Sequence, residues 1–347
     1  MDFGGGDDIR FERIGRAGVV TLTRPKALNA LSHDMVRALA RALDAWEGDD
    51  AVALVLVKGE GRAFCAGGDI MQVYEARRAG AEPPAGFFSD EYRMNARIER
   101  YRKPYVALID GIVMGGGVGI SFHGSHRILT QNAQFAMPEV GIGFFPDVGG
   151  SHILPRLGSY GMYLALTGNR IGAGDALGCG LATHTVQADD LDALVAALTS
   201  TDSPDEALRG LFKPLPPETD KVALSAIDRH FSLPSLEAIV HSLRAAAQGD
   251  DFAARTLATL ESRSPTSMAV AFRQIGAGRA LTMAECMNME FRILNRMLAG
   301  HDFYEGIRAV LVDKDRQPKW RPAGLDAIDP AMIDAYFAPL GERELGL

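Results

Sequence analysis

Cysteine is scarce in this chain. Its 347 residues hold three, Cys65, Cys179 and Cys286. They are odd in number and far apart, which excludes a disulfide framework and the paired spacing of a zinc site, and fits a reducing compartment. Basic charge is also short: 36 Lys and Arg stand against 44 Asp and Glu, a net charge of −8. A concentrated basic face for nucleic-acid phosphates is therefore not expected, and any anionic ligand needs a local pocket. No apolar run approaches the roughly 18 residues that suggest a membrane span. The best, Ala51 to Val57, is short. Met1 to Arg10 shows neither a secretory signal nor an Arg-rich transit pattern, which predicts a cytosolic protein. There is no Gly-x-Ser-x-Gly elbow for a serine nucleophile and no Gly-Lys-Ser/Thr phosphate loop.

What remains is a globular composition, 47% apolar and 23% charged, with length for one large domain or two ordinary ones. The first half alternates strand-like and helix-like segments. Gly18 to Thr23, Ala51 to Val57, Tyr105 to Ile109 and the weaker Leu181 to Val186 read as strands. Continuous apolar runs of this kind suit a parallel sheet covered on both faces. Ser32 is a candidate cap for a helix carrying Met35, Val36, Leu39, Leu43 and Trp46. From about Asp189, helical spacing dominates: Leu191–Leu198, Leu236–Ala247, Phe252–Leu260, Met268–Ile275 and Met283–Leu298. The Pro-rich stretch Lys213 to Thr219 is the best linker candidate.

Two Gly-rich segments follow strands directly, Gly59 to Ile70 and Asp110 to Gly119. Such glycines suit either tight turns or bare backbone approached by a ligand. Taken together, the two segments suggest a pair of backbone N–H groups converging on one carbonyl oxygen. A third segment, Phe135 to Gly150, carries Glu139 and Asp147. Gly141, Gly143 and Pro146 argue against a continuous helix there. It reads either as a solvated surface loop or as a loop bringing two carboxylates together, with Phe144 and Phe145 raising their pKa by desolvation. The eight histidines have no Cys or carboxylate partners at metal spacing, so no metal is expected. Cys65 reads as a small buried hydrophobe, and the Met-rich segment from Met283 to Met297 as core.

The ordered set Thr23 to Leu31, Ala63 to Asp69, Lys103 to Ala107 with Gly115-Gly116-Gly117, and Phe135 to Pro146 resembles the crotonase (enoyl-CoA hydratase/isomerase) superfamily. Asp147 after Phe145-Pro146, the Asp90-Glu91-Tyr92 group, and the ending Gly300 to Asp315 with Pro318-Lys319-Trp320 are most similar to its 3-hydroxyisobutyryl-CoA hydrolase branch. The resemblance implies an α/β fold, a spiral of ββα turns in two sheets followed by a helical C-terminal region. Residues 1–190 would be the core bearing the CoA and catalytic site. Residues 191–347 would serve packing, site closure and oligomerisation, as trimer or hexamer. It also implies hydrolysis of a short 3-hydroxyacyl-CoA thioester in valine breakdown, with CoA as part of the substrate and no separate cofactor.

By the same resemblance, the Gly68 and Gly116 amides form the oxyanion hole. Glu139 is the catalytic carboxylate, as nucleophile or as base for water. Asp147 binds the 3-hydroxyl or positions water. Glu91 binds substrate, the Ala66 carbonyl meets the adenine, and Lys26 approaches a CoA phosphate or is simply solvated. The chain departs from hydratases at Gly119, where the second glutamate of a hydrating pair would fall. Two-carboxylate hydration is thereby impaired, while isomerisation, which needs only the Glu139-type residue, stays open. A silent CoA-binding protein is the third possibility, and retention of both Glu139 and Asp147 speaks against it.

Overall fold

A computed structural model describes residues 1–81 and 85–347. The chain divides into two compact units that interleave along the sequence. The first comprises Met1–Asp69, Gly86–Ala136 and Arg170–Glu218; the second comprises Ile70–Ala85, Met137–Asn169 and Thr219–Leu347.

All nine strands among the described residues lie in the first unit: β1 (Ile9–Ile14), β2 (Ala17–Leu22), β3 (Leu54–Gly59), β4 (Ala63–Cys65), β5 (Tyr105–Ile109), β6 (Ile112–Met114), β7 (His126–Thr130), β8 (Gln134–Ala136) and β9 (His184–Val186). They form a six-stranded sheet in the order β1-β2-β3-β5-β7-β9 and a three-stranded sheet β4-β6-β8. The β1–β2 pair is antiparallel and every other pairing is parallel. Each successive strand pair, β3–β4, β5–β6 and β7–β8, gives its first member to the large sheet and its second to the small one. That alternation is the expected ββα spiral.

Strands β2 and β5 of the large sheet are buried along their whole length, as their unbroken apolar runs require. One face packs Val19, Leu56, Val106 and Ile128 against Leu194 and Leu198 of the helix Leu191–Ser200 and Leu208 of the helix Pro204–Leu208. On the other side, Trp46 of the helix His33–Glu47 lies against Gly18: a Cβ there would sit 2.6 Å from the indole. Ser32 caps this helix as expected, its Oγ accepting the Met35 amide at 3.3 Å. Such a cap contributes about 1 kcal/mol. Strand β3 starts later than the apolar run because Asp49 holds Ala51 and Val52 in a turn.

The expected boundary at residue 190 is not where the structure divides. Residues 191–218 stay with the sheet because their helices cover its face, and the first unit ends inside the Pro-rich stretch, at Glu218. Conversely, residues 137–169, with Glu139 and Asp147, belong to the helical unit. There the helices Lys221–Phe231, Leu236–Ala246, Asp251–Glu261, Pro265–Gly278, Met283–Ala299 and Pro330–Phe337 begin at Asp220, Ser235, Asp250, Ser264, Thr282 and Asp329, each side chain accepting a first-turn amide. Among the described residues, no helix is long and apolar enough to cross a membrane.

Candidate active site

In the first unit, the segment after β4 is held by backbone bonds from the turn before the first long helix. Leu31 N donates to Gly67 O at 2.9 Å, Asp69 N to Leu31 O at 2.9 Å, and Ala66 N to Leu28 O at 3.0 Å. Buried Asn29 ties the loop base, donating to the Glu60 and Ala63 carbonyls and accepting from Arg24 N. Gly67 has φ +119°, a conformation that excludes side chains. Cys65 is the small buried hydrophobe the sequence suggests, its thiol pushed up to about 12 by burial.

Gly116 opens the short helix Gly116–Gly119. A Cβ on Gly116 would lie 3.2 Å from the Gly68 amide nitrogen and 2.6 Å from Glu91 Oε1, and one on Gly117 would lie 2.2 Å from Cys65 O. The glycine run is therefore a requirement of close approach. Neither the Gly68 nor the Gly116 amide donates a backbone hydrogen bond among the described residues. Glu91, on the helix Ala85–Glu99, is buried. The structure thus brings Gly68, Gly116 and Glu91 together. Ala66 is half-buried one step before Gly67, whereas Lys26 is exposed on the turn Pro25–Ala27, with no salt bridge among the described residues.

In the second unit, Glu139 opens a 3-10 turn, Glu139–Ile142, closed by left-handed Gly143. Glu139 is 6% exposed and Asp147 5%, so the surface-loop alternative falls. Rings cover the turn: Phe144 lies 4.7 Å from Phe145 and 4.5 Å from Phe303, centroid to centroid. Burial pushes the Glu139 carboxyl well above the usual carboxylate range, and the charges of Asp147 and then Glu290 push it further. Glu139 Oε2 is buried with no hydrogen-bond partner among the described residues. A carboxylate in that state suits proton transfer or attack.

Three helices of this unit hold the turn. From Pro265–Gly278, Gln274 Nε2 donates to Pro146 O at 2.6 Å. From Asp302–Ile307, the backbone approaches so closely that a Cβ on Gly143 would meet Asp302 O at 2.2 Å, and one on Gly306 would meet Ile142 O at 2.2 Å. The C-terminal ending thus buttresses the Glu139 turn. From Met283–Ala299, Glu290 accepts the Gly149 amide at 2.9 Å and the Ser151 amide at 3.0 Å, together with the Ser151 hydroxyl. The sequence reading assigned that helix to core and missed Glu290. The signal was there: Glu290 falls on the apolar stripe of Met283, Met287, Leu294 and Met297, where a lone carboxylate requires partners.

The family model described as enoyl-CoA hydratase/isomerase matches residues 17–337. The chain belongs to the enoyl-CoA hydratase/isomerase family. Curated relatives include the mitochondrial 3-hydroxyisobutyryl-CoA hydrolases of Danio rerio (45% identical, covering 99% of this chain and 92% of the relative) and Homo sapiens (41%, covering 98% and 90%). Among solved structures, a carnitinyl-CoA dehydratase from Mycobacterium thermoresistibile matches with TM-score 0.91 at 40% identity, over 98% of both chains. An enoyl-CoA hydratase from Rhodobacter sphaeroides matches with TM-score 0.91 at 39%, over 98% of this chain and 100% of that one. The relatives' names say mitochondrial, so they lend the expected cytosolic location no support. Within this enoyl-CoA hydratase/isomerase family member, no group of three or more His, Cys, Asp or Glu among the described residues is arranged to hold a metal.

Proposed function

We propose that this chain hydrolyses a short 3-hydroxyacyl-CoA thioester, 3-hydroxyisobutyryl-CoA first, to the free hydroxy acid and CoA. The carrying observation is the buried turn that holds Glu139 with Asp147, in a chain whose residue 119 is glycine. Without a second acid there, water addition by a carboxylate pair loses one member. The identity of nearly full-length relatives named as hydrolases supports the same reading.

In this reading the Gly68 and Gly116 amides accept the charge that grows on the thioester oxygen, worth about 3–4 kcal/mol per donor. Glu139 acts in its ionised form, either attacking the carbonyl carbon to give a mixed anhydride or taking a proton from the attacking water. In the first branch the C–S bond breaks, the CoA thiolate takes a proton from solvent, and water then hydrolyses the anhydride to the hydroxy acid and free Glu139. In the second, water adds to the carbonyl, the C–S bond breaks, and the proton held by Glu139 passes to the CoA thiolate. Asp147 accepts the 3-hydroxyl, Glu91 contacts the acyl group, the Ala66 carbonyl takes the adenine amine, and Lys26 supplies a peripheral charge for a CoA phosphate. No metal or separate cofactor enters, so activity survives a chelator. Pathway and location follow the substrate: valine breakdown, in whichever compartment makes this acyl-CoA. Assembly into trimers or hexamers belongs to the same reading and is read by sedimentation velocity.

The test offers purified protein 3-hydroxyisobutyryl-CoA and traps released CoA with a thiol reagent. No release above background sinks the proposal. The second reading, enoyl-CoA isomerisation or hydration, rests on retained Glu139 and on the solved neighbours named as dehydratase and hydratase. Loss of enoyl-CoA absorbance in the ultraviolet, without CoA release, would favour it.

A further inference from the structure

Glu290 is fully buried in the middle of the helix Met283–Ala299, and both its oxygens are committed to one stretch of chain. Oε2 accepts from Gly149, and Oε1 from the Ser151 amide and hydroxyl. That stretch is conformationally expensive. Val148 has φ +50° and Gly149 φ +90°. A β-branched residue in the left-handed region is strained and persists only where its surroundings over-determine it. Within the stretch, Gly150 N donates to Asp147 O at 2.7 Å, and His152 N and Ile153 N donate to Gly149 O at 2.9 and 3.0 Å. On the other side, Gln274 fixes the Pro146 carbonyl. Asp147 therefore sits between two anchors from distant helices, and its backbone direction depends on both.

We propose that Glu290 is the positioning residue of the carboxylate turn: by holding the Gly149 and Ser151 amides it aims Asp147 at the acyl chain, and so sets the preference for a 3-hydroxyl group. This rests on the hydrolase reading above. Burial also pushes the Glu290 carboxyl up to about 8, against the pull of the Gly149 amide and the Ser151 hydroxyl. A carboxylate kept in so unfavourable a place, where a neutral side chain would fit, is consistent with a role beyond packing. The competing account is that Glu290 merely satisfies two buried amides. That account predicts lost stability with no change in substrate preference.

The experiment compares kcat/KM for 3-hydroxyisobutyryl-CoA and isobutyryl-CoA in wild type, Glu290→Gln, Ser151→Ala, Asp147→Asn and the Asp147→Asn/Glu290→Gln pair. Gln keeps the shape of Glu290, but its amide nitrogen cannot accept, so one of the two amide bonds is lost. The hydroxyl preference is expected to fall about tenfold or more in Glu290→Gln and less in Ser151→Ala. Glu290→Gln should add nothing to the preference already lost in Asp147→Asn, as coupled residues require. An unchanged preference, or equal slowing of both substrates, overturns the proposal. If Glu290→Gln does not fold, Ser151→Ala decides it by the same ratio. A wild type that releases no CoA overturns the hydrolase reading and this inference together. A wild type that hydrolyses, with variants that keep its preference, overturns this inference alone.

Discussion

The glycine segment around Gly67 and Gly68 in the first unit and the carboxylate turn of the second are built by different means. The first is held by backbone bonds between near neighbours, with Ala66, Gly67 and Asp69 bonded to Leu28 and Leu31. The groups proposed to act there, the Gly68 and Gly116 amides, are themselves backbone. The second has local bonds too, such as Gly141 N to Pro138 O, Phe144 N to Glu139 O and Gly150 N to Asp147 O. But it contains left-handed Val148 and is tied in addition by Gln274, Glu290 and the Asp302–Ile307 helix, more than a hundred residues away. The groups proposed to act there, Glu139 and Asp147, are buried side chains whose charge is costly where they sit. A backbone device is written in local sequence; a side-chain device depends on tertiary packing.

The largest effect should come from the side-chain half. Glu139→Gln keeps volume and removes the charge, so hydrolysis should fall by as much as about 10⁴-fold while acyl-CoA binding stays close to wild type. Retention of more than about a tenth of kcat would mean less than about 1.4 kcal/mol of barrier was lost, too little for that role. Gly116→Ala tests the backbone half. The new methyl would sit 2.6 Å from Glu91 Oε1 and 3.2 Å from the Gly68 nitrogen. Buried Glu91 must shift its carboxyl, and the space beside the two amides is filled. A loss of about 10²-fold in kcat/KM is expected, with some fall in Tm from the displaced Glu91. A near-wild-type rate in a folded Gly116→Ala would remove these amides from the mechanism.

This contrast explains what was legible. Strands β2 and β5 and the helices from Leu191 onward follow from apolar periodicity, and Ser32 from cap chemistry. The short strands β4, β6 and β8 were not visible, because three residues carry no period and only pairing with one another defines them. The glycines at 116 and 117 mark close packing against Glu91 and Cys65, and Gly67 marks a left-handed backbone, as the tight-turn alternative expected. Glu139 and Asp147 could be named, and their burial stood as one of two alternatives; the sequence could not choose, because Phe303 and helices far along the chain pack against the turn. Glu290 was legible as a lone carboxylate on an apolar stripe, but the Gly149 and Ser151 amides it accepts were not. The boundary at 190 was misread because helices 191–200 and 204–208 look like the later ones, and only the sheet face they cover sets them apart.

Gly306→Ala breaks the comparison from the far end. Its methyl would meet the Ile142 carbonyl at 2.2 Å, backbone that cannot step aside. The Asp302–Ile307 helix must shift from the Glu139 turn, costing about 1–3 kcal/mol of stability in a denaturant titration. kcat should fall with it, although residue 306 touches no substrate. Full activity with reduced stability would mean that the turn holds its shape without this buttress.

The smallest expected effect is thermodynamic, and it asks whether the carboxylate half really stores cost. Glu139 has a folded pKa above its unfolded value. A group of that kind contributes stability that is fully present below the unfolded pKa and lost as pH rises through the folded one. Glu290 behaves alike, its contribution fading as pH climbs from its ordinary value of 4.5 towards about 8. Wild type should therefore lose stability from pH 5 to pH 8 through both groups. Glu139→Gln removes one of the two contributions and leaves the other. Its Tm should match wild type more closely at pH 5 and exceed it by a growing margin towards pH 8, even as the variant is catalytically dead. Thermal melts at pH 5, 6.5 and 8 read this directly. A Tm difference that is flat with pH would mean that Glu139 is ionised at little cost, and that its reactivity has another source than burial beside Asp147.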